Sequence, residues 1–213
     1  MIQAVLFDVD GTLLDTTEYI YRAFEYSLQK YKQAPVSREI MSYSIGKALD
    51  ECYRDFTKLE HVLDLMEGHK QFQRENLDLV RLYPHTIDTL EKLRTKGIRI
   101  AAITSRAKDT AIQTLESTGA YPLIDFFIAL EDVVTPKPDP EGLHKALQFF
   151  AVPSDAALMV GDSPVDIEAG RNAKTGTVGA GYGFHGARIS ESRPDHVIHD
   201  IAEILDIISA TEK

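Results

Sequence analysis

The chain has 213 residues, 44% hydrophobic and 26% charged, a balance that supports a packed core and excludes wholesale disorder. With 23 Lys and Arg against 33 Asp and Glu, the net charge is −10, which argues against nonspecific binding to nucleic acid or an anionic membrane. Cys52 is the only cysteine, so neither an intrachain disulfide nor a cysteine-based zinc site can form.

Ile2–Phe7 is a short apolar, β-branched run cut off by Asp8-Val9-Asp10-Gly11. It predicts a buried strand ending in a turn. From about Thr16 to Arg81 only helical signals occur, such as Ile20, Phe24, Leu28 and Tyr31. Strand-like runs resume at Ile98–Ile103, Phe126–Leu130, Ala156–Val160, Thr175–Val178 and Val197–Ile198. Amphipathic helices are predicted between and after them, one carrying Leu143, Ala146, Leu147 and Phe150, another Ile201, Ile204, Leu205 and Ile208. The alternation predicts an α/β fold, a parallel sheet with helices on both faces. The stretch that breaks it reads as a small all-helical insert over residues 16–81, leaving 1–15 and 82–213 as the core. The insert holds 11 acidic and 10 basic side chains, against 22 and 13 in the remainder, so the core carries almost all of the net charge. No apolar run approaches the roughly 18 residues needed to span a bilayer. The N-terminus lacks a basic segment, and Asp8 and Asp10 interrupt any signal-peptide core, so the expected location is cytoplasmic.

Asp8 and Asp10 stand at the end of the first strand, where open α/β sheets place their ligand crevice. Side chains at i and i+2 of an extended segment share a side, so the two carboxylates can converge, and Gly11 lets the chain turn there. A solvated acidic turn capping a helix has the same local pattern. Asp162 and Asp166 form a second acidic pair after another buried run, with Ser163 and Pro164 suited to starting a helix. Asp166 is equally suited to complementing that helix dipole. Clustered carboxylates suit Mg²⁺, whose shell phosphate oxygens complete. Lys137, between Pro136 and Pro138, is held on a stiff extended segment. It reads either as a surface lysine or as a cation placed to neutralise a phosphoryl oxygen. Thr104, after Ile98–Ile103, can donate to phosphate or cap the next helix.

In this order, the Asp-x-Asp-Gly-Thr-Leu-x-Asp stretch from Asp8 to Asp15, Thr104, Lys137-Pro138 and the Gly-Asp-x-x-x-Asp stretch from Gly161 to Asp166 resemble the haloacid dehalogenase superfamily. The similarity is to its phosphatase branch, with a helical cap inserted after the first motif, and runs over essentially the whole chain. The resemblance implies a Rossmann-like core and an enzyme that binds a small phosphorylated metabolite. It implies that Asp8 attacks phosphorus, that Asp10 is the acid and base, and that Thr104 and Lys137 stabilise the transferring group. It also implies Mg²⁺ held by the Asp8 carboxylate, the Asp10 carbonyl and Asp162, with Asp166 in support. Gly11, Thr12, Ser105 and Arg106 are the expected phosphate contacts. Gly46 and Lys47 are the expected cap contacts. Asp10 favours phosphate transfer, since relatives that cleave carbon–halogen or carbon–phosphorus bonds lack an aspartate there.

The Ile45-Gly46-x-x-Leu49-x-Glu51 pattern resembles the caps of phosphoglycolate phosphatases and of a related pyrophosphatase. The expected substrate is therefore a small anionic ester such as 2-phosphoglycolate, with pyrophosphate next. A β-phosphoglucomutase-like phosphotransferase is disfavoured by the missing Ser-Arg pair after the glycine. A phosphoacceptor signalling domain is disfavoured by the length of the chain, and a non-catalytic phosphate binder by the filled motif positions. His196 and His199 are spaced like metal ligands without a third ligand nearby and read as structural or solvated. Tyr182–Gly186 reads as a pocket border or a flexible connection. A monomer or a homodimer is expected.

Overall fold

A computed structural model describes residues 1–211 of the chain. Strand β1 (Ala4–Phe7) is buried throughout, and its alternating side chains serve both faces of a sheet. Val5 and Phe7 enter one apolar cluster, Ala4 and Leu6 another. A strand covered on both sides reads as a continuous apolar run rather than an alternation, which is how Ile2–Phe7 looks in the sequence.

A short strand β2 (Leu14–Asp15) then leads into four helices, α1 (Thr17–Lys30), α2 (Arg38–Ser42), α3 (Leu49–Thr57) and α4 (Leu63–Glu75). Strand β3 (Arg81–Leu82) returns antiparallel to β2, so the chain leaves for the helical segment and re-enters from it at one place. The apolar stripe of α1 is buried through Ile20, Phe24 and Leu28. The Phe24 ring meets Tyr53 of α3 and His69 of α4 edge-on, with centroids 5.2 and 4.5 Å apart, a favoured aromatic geometry. Ser27 Oγ donates to the Leu65 carbonyl at 2.6 Å, tying α1 to α4.

The rest of the chain runs α5 (Thr86–Thr95), β4 (Arg99–Ile103), α6 (Lys108–Ser117), β5 (Phe126–Ile128), α7 (Glu141–Phe150), β6 (Ala157–Gly161), α8 (Pro164–Ala173), β7 (Gly176–Ala180), β8 (His196–Ile198) and α9 (Ile204–Ala210), an alternation broken only where a 3₁₀ segment, Gly186–Ser192, joins β7 to β8. Six strands form one sheet in the order β5-β4-β1-β6-β7-β8, every pair parallel. Helices α7 and α8 bury Leu143, Ala146, Ala169 and Ala173 against one face, whereas α5, α6 and α9 bury Leu90, Leu93, Leu115 and Ile208 against the other.

The strand ends shift by one or two residues from the predicted runs, and two of these shifts have a visible cause. The run Phe126–Leu130 stops at Ile128, because the Asp132 carboxylate takes the Ala129 N–H at 3.0 Å and winds 130–132 into a 3₁₀ turn. Thr175 stays out of β7, since its N–H and hydroxyl both donate to the Gly170 carbonyl at the end of α8.

Candidate active site

Asp8, Thr104 and Asp162 are each the first residue beyond a strand, β1, β4 and β6 respectively. These three strands are neighbours at the sheet centre, where the connection order reverses and α/β folds open their binding crevice. Lys137 completes the group from 129 residues away in the chain. Its ammonium donates to Asp8 Oδ1 at 2.6 Å, Asp166 Oδ1 at 2.6 Å and the Ile103 carbonyl at 3.0 Å, which uses all three of its protons. The surface-lysine reading is thereby overturned, because this side chain is only 4% exposed.

Asp166 engages both Lys137 and the start of α8. Its Oδ1 holds Lys137, while its Oδ2 accepts from the Ser163 N–H at 3.1 Å and the Ser163 hydroxyl at 2.6 Å, closing the first turn of α8. Asp162 Oδ2 accepts the Phe184 N–H at 2.6 Å. That bond makes Tyr182–Gly186 part of the site, and the Gly-rich, aromatic composition of the loop was the only sequence signal for it. Gly11, at φ +86°, passes directly against Asp162, and a β-carbon there would collide with the carboxylate.

The carboxylates of Asp8, Asp162 and Asp166 lie within 4.8 Å of one another. Burial raises Asp8 to about 7, opposed by Lys137 and reinforced by Asp166 and Asp10. Asp162 is pushed well above the usual carboxylate range by burial, then by Asp8 and Asp166. Burial disfavours the charged form of Lys137, but Asp166 and Asp8 outweigh it and hold the ammonium charged. Three buried carboxylates thus face one ammonium, an excess of negative charge that a divalent cation would balance. Among the described residues, Asp8 Oδ2 and Asp162 Oδ1 have no hydrogen-bond partner, whereas both Asp166 oxygens are taken. The donor set therefore fits a hard cation bound by Asp8 and Asp162.

Asp10 faces differently. Its Oδ1 accepts from Thr16 Oγ1 and from Arg106 Nη1, both at 2.8 Å. Arg106, expected on phosphate, is committed to Asp10 and to the Thr110 carbonyl. Thr104 Oγ1 accepts the Arg106 N–H at 3.1 Å, and its own proton is left to donate. A cleft of about 120 Å³ is lined by Asp8, Asp10 and Thr104–Arg106 on the sheet side and by Ile45, Gly46, Lys47, Lys70 and Gln73 from the helical segment. Gly46, at φ +105°, approaches the core closely enough that a β-carbon would sit 2.9 Å from Ser163 Oγ. Lys47 lines the cleft but pairs with Asp55 at 2.8 Å. Thr12 is fully buried and does not line the cleft; its carbonyl receives the Tyr182 hydroxyl at 3.0 Å. His196 and His199 are exposed and outside the acidic cluster. Lys70 and Gln73 escaped the sequence reading, since nothing in a helical repeat distinguishes a cleft-lining polar residue from a solvated one.

A strand-end carboxylate cluster closed by a buried lysine, under a helical insert, defines a class of hydrolase. The family model described as haloacid dehalogenase-like hydrolase matches residues 5–180, and the chain belongs to that family. It is 33% identical to a Bacillus pumilus protein named pyrophosphatase PpaX, over 98% of this chain and 97% of that one. It is 30% identical to the protein of the same name from Halalkalibacterium halodurans, over 97% of each. Among solved structures, one described as a predicted phosphoglycolate phosphatase from Haemophilus somnus superposes with a TM-score of 0.86 at 26% identity, covering 97% of this chain and 98% of that one.

Proposed function

We propose that this phosphohydrolase depends on Mg²⁺, uses Asp8 as its nucleophile and has pyrophosphate as its first substrate. The observation that carries the chemistry is the Lys137 ammonium, bound at 2.6 Å to both Asp8 and Asp166 inside the acidic cluster. A carboxylate attacks a phosphate dianion poorly because like charges repel, and a fixed cation beside it lowers that repulsion. Asp8 and Asp162, with the Asp10 carbonyl, would hold the metal, which supplies further positive charge to the phosphoryl oxygens.

A carboxylate oxygen of Asp8 forms a bond to phosphorus as the bond from phosphorus to the leaving oxygen breaks. Asp10 delivers a proton to that oxygen. In the second half, the Asp10 carboxylate takes a proton from water, whose oxygen attacks phosphorus; the bond to Asp8 breaks, and inorganic phosphate and a free Asp8 carboxylate result. Two easier displacements replace one difficult one. Arg106 and Thr16, both on Oδ1, orient Asp10 with Oδ2 available. The Thr104 hydroxyl and the Ser105 N–H are suited to the equatorial oxygens, whereas the Gly11 N–H, expected there, is already given to the Leu14 carbonyl at 2.8 Å. Residues 16–81 act as the cap that encloses the substrate over the core of 1–15 and 82–213.

The names of the curated relatives reverse the substrate order that the Ile45–Glu51 pattern suggested. They favour pyrophosphate, with 2-phosphoglycolate second on the likeness to the Haemophilus somnus structure. Release of phosphate from pyrophosphate should require Mg²⁺ and stop with EDTA. The D8N variant should lose activity by on the order of 10⁴-fold or more. Turnover by D8N near the wild-type rate would show that another group attacks phosphorus.

A further inference from the structure

Three cationic side chains line the cleft: Lys47, Lys70 and Arg106. Two of them are already neutralised. Arg106 is bound to Asp10 at 2.8 Å, and Lys47 to Asp55 at 2.8 Å. Lys137, next to the cleft, is divided between Asp8 and Asp166. Lys70 differs, because among the described residues its ammonium makes no hydrogen bond or ion pair. The acid that feels its charge, Asp109, is held instead by the Arg74 guanidinium at 3.3 Å and by the Thr110 N–H at 2.8 Å.

Gln73 lies three residues further along α4, on the same helix face. Its side chain is buried and lines the cleft, yet its amide has no hydrogen-bond partner among the described residues. The amide opens on the cleft, so its unused donor and acceptor are available to a ligand beside Lys70. Apart from Lys47, which Asp55 holds, no other charged side chain of the helical segment lines the cleft among the described residues. His69 is neutral, kept so by burial, and bonds Tyr53 Oη at 3.1 Å. Ile20, Phe24, Ile45, Leu49 and Met66 make that wall largely apolar. On the core side Glu131 lines the cleft, with one carboxylate oxygen accepting the Lys108 N–H at 2.9 Å.

We propose that Lys70, with the Gln73 amide, determines specificity by binding an anionic group on the leaving side of the substrate. This rests on the phosphohydrolase reading above and deepens it. One uncommitted ammonium across a small cleft from Asp8 selects short phosphate compounds that carry a second negative charge close to the transferred phosphoryl group. Pyrophosphate meets that description, as does a phosphorylated two-carbon acid. An ester with an uncharged leaving group gains nothing from Lys70.

The test is steady-state kinetics of wild type, K70Q and K70R on pyrophosphate, 2-phosphoglycolate and p-nitrophenyl phosphate. Removing one charge-assisted hydrogen bond should lower kcat/KM of K70Q on the doubly charged substrates by about tenfold or more, chiefly through KM. The ratio of their kcat/KM to that of p-nitrophenyl phosphate should fall by the same factor, and K70R should restore most of it. Equal losses on all three substrates would make Lys70 merely structural. Unchanged ratios, or a wild type that prefers p-nitrophenyl phosphate over both charged substrates, would also overturn the assignment. A wild type with no Mg²⁺-dependent turnover of any of the three would sink the phosphohydrolase reading, and this inference with it. The two failures are therefore distinguishable.

Discussion

The strand-end cluster and the helical segment use charge in opposite ways. At the strand ends, the side chains of Lys137, Asp8 and Asp166 are 4%, 11% and 1% exposed. Each depends on the others, since a charge without a partner in that environment is prohibitively costly. In the helical segment, Arg38 pairs with Glu18 and Glu25, Lys47 with Asp55, and Arg54 with Asp50, all well exposed to water. Exposed pairs of this kind contribute little. The buried network can hardly change one member at a time, so it suits chemistry common to many substrates. The helical segment can exchange surface charges freely, so it suits the choice of substrate.

This contrast is open to direct attack. The largest expected effect is from K137M, which leaves Asp8 and Asp166 without their shared cation. Breaking a buried pair should cost about 3–5 kcal/mol of unfolding free energy, read from urea denaturation, together with most of the activity. A loss below about 1 kcal/mol would put the cluster on the same footing as an exposed pair.

His69 is the exception within the helical segment and sharpens the comparison. Burial lowers its pKa from 6.5 to about 3, so the folded chain keeps it neutral while the unfolded chain protonates it below about pH 6.5. The stability linked to it is fully present above pH 6.5 and is lost as the pH falls toward 3. Between pH 6.5 and 5 its share of the loss should be about 2 kcal/mol. The H69Q variant should therefore show a shallower acid limb than wild type by that amount. Parallel pH dependences of unfolding would place the His69 ring in contact with water.

The smallest effect should come from K47A. Its partner Asp55 is 45% exposed, so the loss of stability should stay below about 1 kcal/mol in the same urea titration. A larger cost would mean that this pair supports the close approach of Gly46 to Ser163.

Local pattern in the sequence determined the class of fold and the strand-end residues. A strand covered on both faces must be a short apolar run, and a carboxylate directly after such a run can only stand at the sheet edge. Asp8, Thr104 and Asp162 were legible for that reason, and so was the helical stretch between Thr16 and Arg81. Pairing across the chain was decided by the tertiary structure. Nothing local indicates that Arg106 turns to Asp10, 96 residues away, or that the Phe184 N–H caps Asp162. The sequence favours Lys47, next to Gly46, over Lys70, which sits in a helical repeat like any surface lysine. Only the packing of α4 over the strand ends leaves one of them in the cleft without an acid to hold, because a side chain's partners depend on what folding brings beside it and not on its neighbours in sequence.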